Sequence, residues 1–245
     1  MEGHICANYL AFPDLEPPFL SLVVSGGHTY LCVVRDYMTY EVVGTTVDDA
    51  AGESFDKVAR VIGLGYPGGP KIQAAAVQGD PSAFDFPRAL IREEAGFRLS
   101  FSGLKTAVIN TVHQLEQKGM SIPQADIAAS FQQAVIDVLV TKSLRLMENM
   151  PEIRQFCLSG GVAANQPLRH ALEEACRKRG VRFFAPPQIL CTDNAAMIGC
   201  ASYYQYRYRG GSPLDFAAEP DLGLPMRHDE AAIGETRNEP TNSKK

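Results

Sequence analysis

Phe19-Leu20-Ser21-Leu22-Val23-Val24-Ser25-Gly26-Gly27-His28-Thr29-Tyr30-Leu31-Cys32-Val33-Val34 holds two apolar runs separated by one tight glycine connection. Each run is short for a helix and rich in β-branched or aromatic residues, so each predicts a strand. A third run, Tyr40 to Val43, follows Arg35-Asp36 and extends the pair into a meander. The period then changes. Ala51, Phe55, Val58, Ala59 and Ile62 recur at helical spacing and Gly63 supplies a stop signal, which predicts a helix crossing back after the third strand. Pro70 to Gln78 reads as a shorter helix, with proline in its first turn and Gly79 past its end.

Residues 80–101 mix Pro, Gly, Arg and aromatics without a period and read as an irregular insertion with one hairpin at most. Leu104, Val108, Val112 and Leu115 mark a helix ending at Gly119; Ile127, Phe131, Val135, Val138, Leu139 and Leu146 mark a longer one. Phe156 to Leu158, Leu168 to Lys178 and Val181 to Ala185 then read as a strand, helix, strand crossover closed by Pro186-Pro187. Thr192 is placed to cap a last helix that runs to Tyr208 and stops at Gly210-Gly211. From about His228 onward the composition is polar and is expected to fray. The order of elements predicts the α/β class, a mixed sheet with flanking helices.

At 245 residues the chain has room for one large domain or two small ones, and 45% hydrophobic with 21% charged residues excludes disorder and collagen-like repeats. A net charge of -5 excludes a wholly basic nucleic-acid coat but leaves local basic patches open. No apolar run approaches the roughly 18 residues of a membrane span, and Met1-Glu2-Gly3-His4 lacks the positive charge that opens a signal peptide. A cytoplasmic protein is expected. Cys6, Cys32, Cys157, Cys176, Cys191 and Cys200 form no C-x-x-C pair and read as buried free thiols.

Two predicted strands end in the same device, Val23-Val24-Ser25-Gly26-Gly27 and Cys157-Leu158-Ser159-Gly160-Gly161. Glycines let backbone N–H groups approach an anion closely, although either pair alone is better read as a sharp turn. Its recurrence after a second apolar strand favours phosphate binding. Gly52 and Asp56 lie one turn apart, away from the Phe55 and Val58 stripe, so Asp56 either faces a ligand or pairs at the surface beside Lys57. Gly69, in Tyr66-Pro67-Gly68-Gly69-Pro70, sits in a rigid turn before a helix. Asn165 at a helix start either caps it or donates to a nucleotide. Asp193 also sits at a helix start, and His4, near the chain end, reads most simply as a solvated group. Arg177-Lys178-Arg179 with Arg182, and Tyr203 to Arg209, are basic stretches that suit either RNA or a solvated helix face.

Met1-Glu2-Gly3-His4, Leu22 to Thr29, Asp48-Asp49-Ala50-Ala51-Gly52-Glu53-Ser54-Phe55-Asp56-Lys57, Gly65 to Pro70, Ser100-Phe101-Ser102-Gly103-Leu104-Lys105-Thr106, Ser159 to Asn165 and Cys191 to Ile198, in that order, closely resemble the TsaD family. These are the tRNA N6-adenosine threonylcarbamoyltransferases, formerly called O-sialoglycoprotein endopeptidases. The likeness runs from Met1 to about Leu224. It implies an actin-like, Hsp70-like ATPase fold, and transfer of threonylcarbamoyl from threonylcarbamoyl-AMP to N6 of the adenosine just 3′ of the anticodon in tRNAs reading ANN codons. By that likeness Val23, Val24, Ser25, Gly26, Gly27, Asp56, Gly69 and Asn165 would hold the adenylate, and His4 and Asp193 would ligate one divalent metal, iron or zinc. It implies as partners tRNA, a paralogous protein and an ATPase of the same pathway, with no membrane. No residue is nominated as general base.

The family binds its metal through H-x-x-x-H, of which only Glu2-Gly3-His4 is present, and carries a further lobe ahead of that motif. An N-terminally truncated member is therefore expected, with residues 1–18 as hinge helix and linker, 19–225 as one lobe carrying an insertion near 80–150, and 226–245 as a polar tail. Two alternatives stay open: another actin-like kinase or carbamoyltransferase, and a lobe that binds nucleotide or partner without turnover.

Overall fold

β1 (Phe19–Val24) is buried on both faces and forms the middle of a five-stranded sheet ordered β3-β2-β1-β4-β5 in a computed structural model. The structure describes residues 1–211 together with Pro213, Asp215, Ala217, Gly223 and Leu224. The expected tail at 226–245 lies outside the described residues. β2 (Thr29–Asp36) and β3 (Thr39–Thr45) complete the antiparallel meander, while β4 (Gln155–Ser159) pairs parallel with β1, placing Ser159 opposite Val23. β5 (Arg182–Phe184) adds a parallel edge. A strand buried on both sides reads as a continuous apolar run, which is why Phe19 to Val24 shows no polar alternation beyond Ser21.

Side chains alternate between two layers. Leu20, Leu22 and Val24 pack with Phe55 and Val58 of α2 (Ala51–Val61), Phe131 and Val135 of α5 (Gln124–Asn149), and Leu168 and Leu172 of α6 (Gln166–Arg177). Phe19 and Val23 face the other way, onto Ile5, Cys6 and Tyr9 of α1 (Glu2–Ala11) and Tyr204 of α7 (Ala195–Arg209). This is a mixed sheet between two helical layers, as the sequence predicts. All six cysteines are free; five are buried and Cys200 is half-buried.

Three local expectations need correction. The helix expected from Pro70 begins earlier, as α3 (Gly68–Ala76), because the Asp56 carboxylate accepts from the Gly68 N–H at 2.7 Å and starts the turn there. Asn194, not Thr192, caps α7, its side chain accepting from the Met197 N–H at 2.9 Å. Thr192 lies two residues before that cap position.

Residues 80–101 hold no hairpin; among the described residues there is one short 3-10 turn at Glu93–Ala95 and an isolated bridge from Thr46 to Leu99. Side chains tie the segment down instead. Arg145 of α5 donates to the Ile91, Arg92 and Gly96 carbonyls, each at 3.1 Å, and Arg88 pairs with Asp137 at 2.9 Å. α4 (Ser102–Gln117) starts where the Asp48 carboxylate accepts from the Phe101 N–H at 2.8 Å.

Lys142 of α5 is buried, has no carboxylate partner among the described residues and donates to the Gly96 carbonyl. Burial, with Arg145 and Arg98 nearby, pushes its pKa down to about 8. The unfolded chain therefore holds more protons than the folded one from about pH 8 up to the ordinary lysine value, so stability rises with pH across that window. Below it, both states are protonated and the penalty of a buried charge is fully present. Lys142→Met is expected to raise the melting temperature at pH 7 and to flatten its rise between pH 8 and pH 10. Gly96 would keep Arg145 as a donor. Equal melting temperatures at pH 7 would count against this account.

Candidate functional site

The glycine loops meet because β1 and β4 are adjacent and parallel, so Ser25-Gly26-Gly27 and Ser159-Gly160-Gly161 leave the same end of the sheet. In open α/β sheets ligands sit beyond the carboxyl ends of parallel strands. Ser25 closes the first loop: its N–H donates to the His28 carbonyl at 2.8 Å, and its hydroxyl accepts from the His28 N–H at 3.1 Å. The Gly26 and Gly27 N–H groups take no partner among the described residues.

Two further glycines allow close packing. A Cβ on Gly52 would lie 2.4 Å from the Ser25 carbonyl oxygen, so only glycine lets the N-terminus of α2 press on the first loop. Gly160, at φ +90°, would set its Cβ 2.3 Å from the Val24 carbonyl oxygen. In contrast, a Cβ on Gly26, Gly69 or Gly161 would meet nothing within 4 Å. Those three face a cavity of about 350 Å³ that Asp56, Asn165 and Tyr66 also line.

The remaining expected residues divide by position. Val23 and Val24 are buried strand residues beneath the loop, and Ser25 and Gly27 belong to the loop without lining the cavity. Asp56 lines it with one carboxylate oxygen spent on Gly68. Asn165 does cap α6, accepting from the Leu168 N–H at 3.0 Å, and also donates to the Gln132 side chain at 2.7 Å. Both ends of its amide are engaged, which fixes how it faces the cavity. Gln132 was not singled out from the sequence; it sits one residue after the apolar-stripe residue Phe131 and is buried with it. Gln73, which accepts from the Gln166 N–H at 2.8 Å, and the Tyr66 ring also line the cavity and were likewise missed.

His4 is buried rather than solvated, and its Nε2 lies 3.4 Å from a carboxylate oxygen of Asp193, whose side chain is 90% exposed. Burial lowers the imidazole's pKa while Asp193 pulls it upward, leaving a net depression that favours the neutral ring a metal requires. Two metal bonds of about 2.1 Å at a tetrahedral angle span about 3.4 Å, so the pair has the bite to share one ion. Its neighbour Thr192 lines the cavity, placing the pair beside it. Among the described residues no group of three or more His, Cys, Asp or Glu is assembled for a metal, so the pair fits as part of a ligand set.

The family model described as TsaD, tRNA N6-adenosine threonylcarbamoyltransferase, matches residues 1–200. A protein of that name from Moorella thermoacetica is 55% identical over 222 residues, which are 91% of this chain and 64% of the relative. One from Clostridium botulinum is 50% identical over 227 residues, 93% of this chain and 66% of the relative. The chain thus spans just under two thirds of the length of these relatives. Among solved structures, full-length HypF in the phosphate- and nucleotide-bound form aligns with a TM-score of 0.62 at 14% identity, over 86% of this chain and 43% of that one. HypF of T. kodakarensis aligns at 0.59 and 14%, over 84% and 36%. At such identity the likeness speaks for the fold, and it is the actin-like ATPase fold that the resemblance implied.

Proposed function

Because the chain belongs to the TsaD family of tRNA N6-adenosine threonylcarbamoyltransferases, we propose that it acts in transferring the threonylcarbamoyl group from threonylcarbamoyl-AMP to N6 of the adenosine just 3′ of the anticodon in tRNAs reading ANN codons. The observation that carries this reading is the meeting of the two glycine loops at one cavity, with Gly26, Gly161, Asp56 and Asn165 around it. The N6 amine attacks the carbamoyl carbon, its C–N bond forms as the C–O bond to the phosphate breaks, the amine loses a proton and AMP departs. The unspent Gly26 N–H, which faces the cavity, suits the phosphate oxygens that gain charge in that step. A neutral amine needs positioning more than activation, which a preorganised cavity supplies.

His4 and Asp193 are proposed to hold the metal, iron or zinc, which when bound supplies Lewis acidity toward donor oxygens. His4→Ala and Asp193→Ala are each expected to lower the iron or zinc copurifying with the protein, read by elemental analysis; full metal content in both variants would remove the pair from the metal site. Residues 19–225 are read as one lobe behind a hinge helix at 1–18, working in the cytoplasm with tRNA, a paralogous partner and an ATPase. Among the described residues no helix is long and apolar enough to cross a membrane.

Calorimetry with AMP and ATP, followed by a tRNA modification assay with threonylcarbamoyl-AMP, tests the proposal. Threonylcarbamoylated tRNA is the expected product. Nucleotide binding without transfer would mark a non-catalytic lobe, and transfer to a sugar hydroxyl would mark a kinase or carbamoyltransferase instead.

A further inference from the structure

Tyr66 presents an aromatic ring at the mouth of the glycine-lined cavity with 66% of its surface exposed. Apolar rings are normally buried, so a large one held open at a cavity rim is an available contact surface. The backbone beneath it is firm: Pro67 follows directly, and the next N–H, that of Gly68, is held by Asp56. Arg60, one turn after Asp56 on α2, brings its guanidinium carbon to 5.8 Å from the Tyr66 ring centroid. Arg60 is exposed and forms no ion pair among the described residues. Lys71, also exposed, is tethered through its Nζ to the Leu64 carbonyl at 2.8 Å on the same loop.

An exposed ring with the Arg60 guanidinium over one face, and with Lys71 tethered on the same loop, therefore stands outside a cavity whose interior offers backbone N–H groups. The two chemistries suit two different ligands. The interior suits the phosphate-bearing donor, while the rim matches a nucleobase with phosphates on either side, as presented by a single-stranded RNA loop. We propose that Tyr66 is the stacking platform for the acceptor base, with Arg60 and Lys71 taking flanking backbone phosphates. This rests on the transferase reading above, and it assigns to the rim a substrate-positioning role separate from donor binding. Tyr66 contributes its ring and not its hydroxyl, because stacking needs only the π-surface.

The test uses fluorescence anisotropy with an anticodon stem-loop RNA carrying adenosine just 3′ of the anticodon, and the same RNA abasic at that position. Tyr66→Ala is expected to weaken binding of the first RNA between about fivefold and a hundredfold, whereas Tyr66→Phe stays within about twofold of the parent. On the abasic RNA the Tyr66→Ala loss should vanish, since the partner of the ring is gone. Arg60→Ala should weaken both RNAs alike and flatten the salt dependence. AMP affinity by calorimetry should be unaltered in Arg60→Ala and should change far less than RNA affinity in Tyr66→Ala, and thermal melts check that each variant folds. An unchanged RNA affinity in Tyr66→Ala, or an equal loss on abasic RNA, overturns the assignment. A loss of AMP affinity in Tyr66→Ala as large as its loss of RNA affinity overturns it too, by moving the ring to the donor. Parent protein that binds AMP but no RNA sinks this inference and leaves the donor site standing; parent protein that binds neither sinks the transferase reading with it.

Discussion

Gly160→Ala is expected to lower the melting temperature by about 10 °C or more, while Gly161→Ala, one residue on, melts like the parent and loses nucleotide affinity. Gly160 sits at φ +90° and ψ 171°, a region essentially reserved for glycine, and a side chain there costs about 1–3 kcal/mol before any clash. Its Cβ would also stand 2.3 Å from the carbonyl oxygen of Val24, on the central strand. Neither a backbone oxygen nor β1 can give way cheaply, so overpacking adds about 1–3 kcal/mol. The sum is a large share of the roughly 5–15 kcal/mol that keeps a typical domain folded. Gly161 has no positive φ and open space before it, but that space is the cavity. Its methyl group would take volume from a ligand without touching the protein. Calorimetric melts and AMP titrations of the two variants check this contrast. A stable Gly160→Ala protein, or a Gly161→Ala protein with parental AMP affinity, contradicts the packing account of the loops.

Asp56→Asn is expected to keep the fold and lose about tenfold or more in affinity for AMP or the donor, whereas Asp56→Ala loses both affinity and stability. The amide oxygen of asparagine can still accept from the Gly68 N–H, now held at 2.7 Å, so the start of α3 survives. What disappears is the charge, and a hydrogen bond from a ligand hydroxyl to a carboxylate is worth about 1.5–3 kcal/mol. Alanine additionally leaves the Gly68 N–H without its acceptor and costs about 1 kcal/mol as a lost cap. Thermal melts separate the two variants structurally, and isothermal titration reads the binding. Parental affinity in Asp56→Asn would show that Asp56 serves only to start the helix.

These residues illustrate what was legible and what was not. The runs Phe19 to Val24 and Thr29 to Val34 read correctly because strand propensity and a glycine turn are local signals, and β1 appears with the expected bounds. The α2 stripe of Phe55, Val58 and Ala59 was equally plain, since an amphipathic helix writes its period into the chain. The path of residues 80–101 was not, because side chains from α5 hold it and no backbone ladder does. His4 looked solvated for the same reason: its burial is supplied by elements far along the chain, with α7 packed against α1. Asn194 displaced Thr192 as a cap because hydrogen-bond geometry at a helix start resolves single residues, which a pattern cannot.

By itself, then, the amino-acid order determined the α/β class, the paired glycine loops and the family likeness, all carried by short-range period, turn chemistry and ordered motifs. Only tertiary structure decided that the loops share one cavity, that Asp56 is anchored to Gly68, that Gln132 orients Asn165, and that Tyr66 is left open at the rim. The reason is the parallel pairing of β1 with β4 across most of the chain: such a contact forms between surfaces, and no local period encodes it.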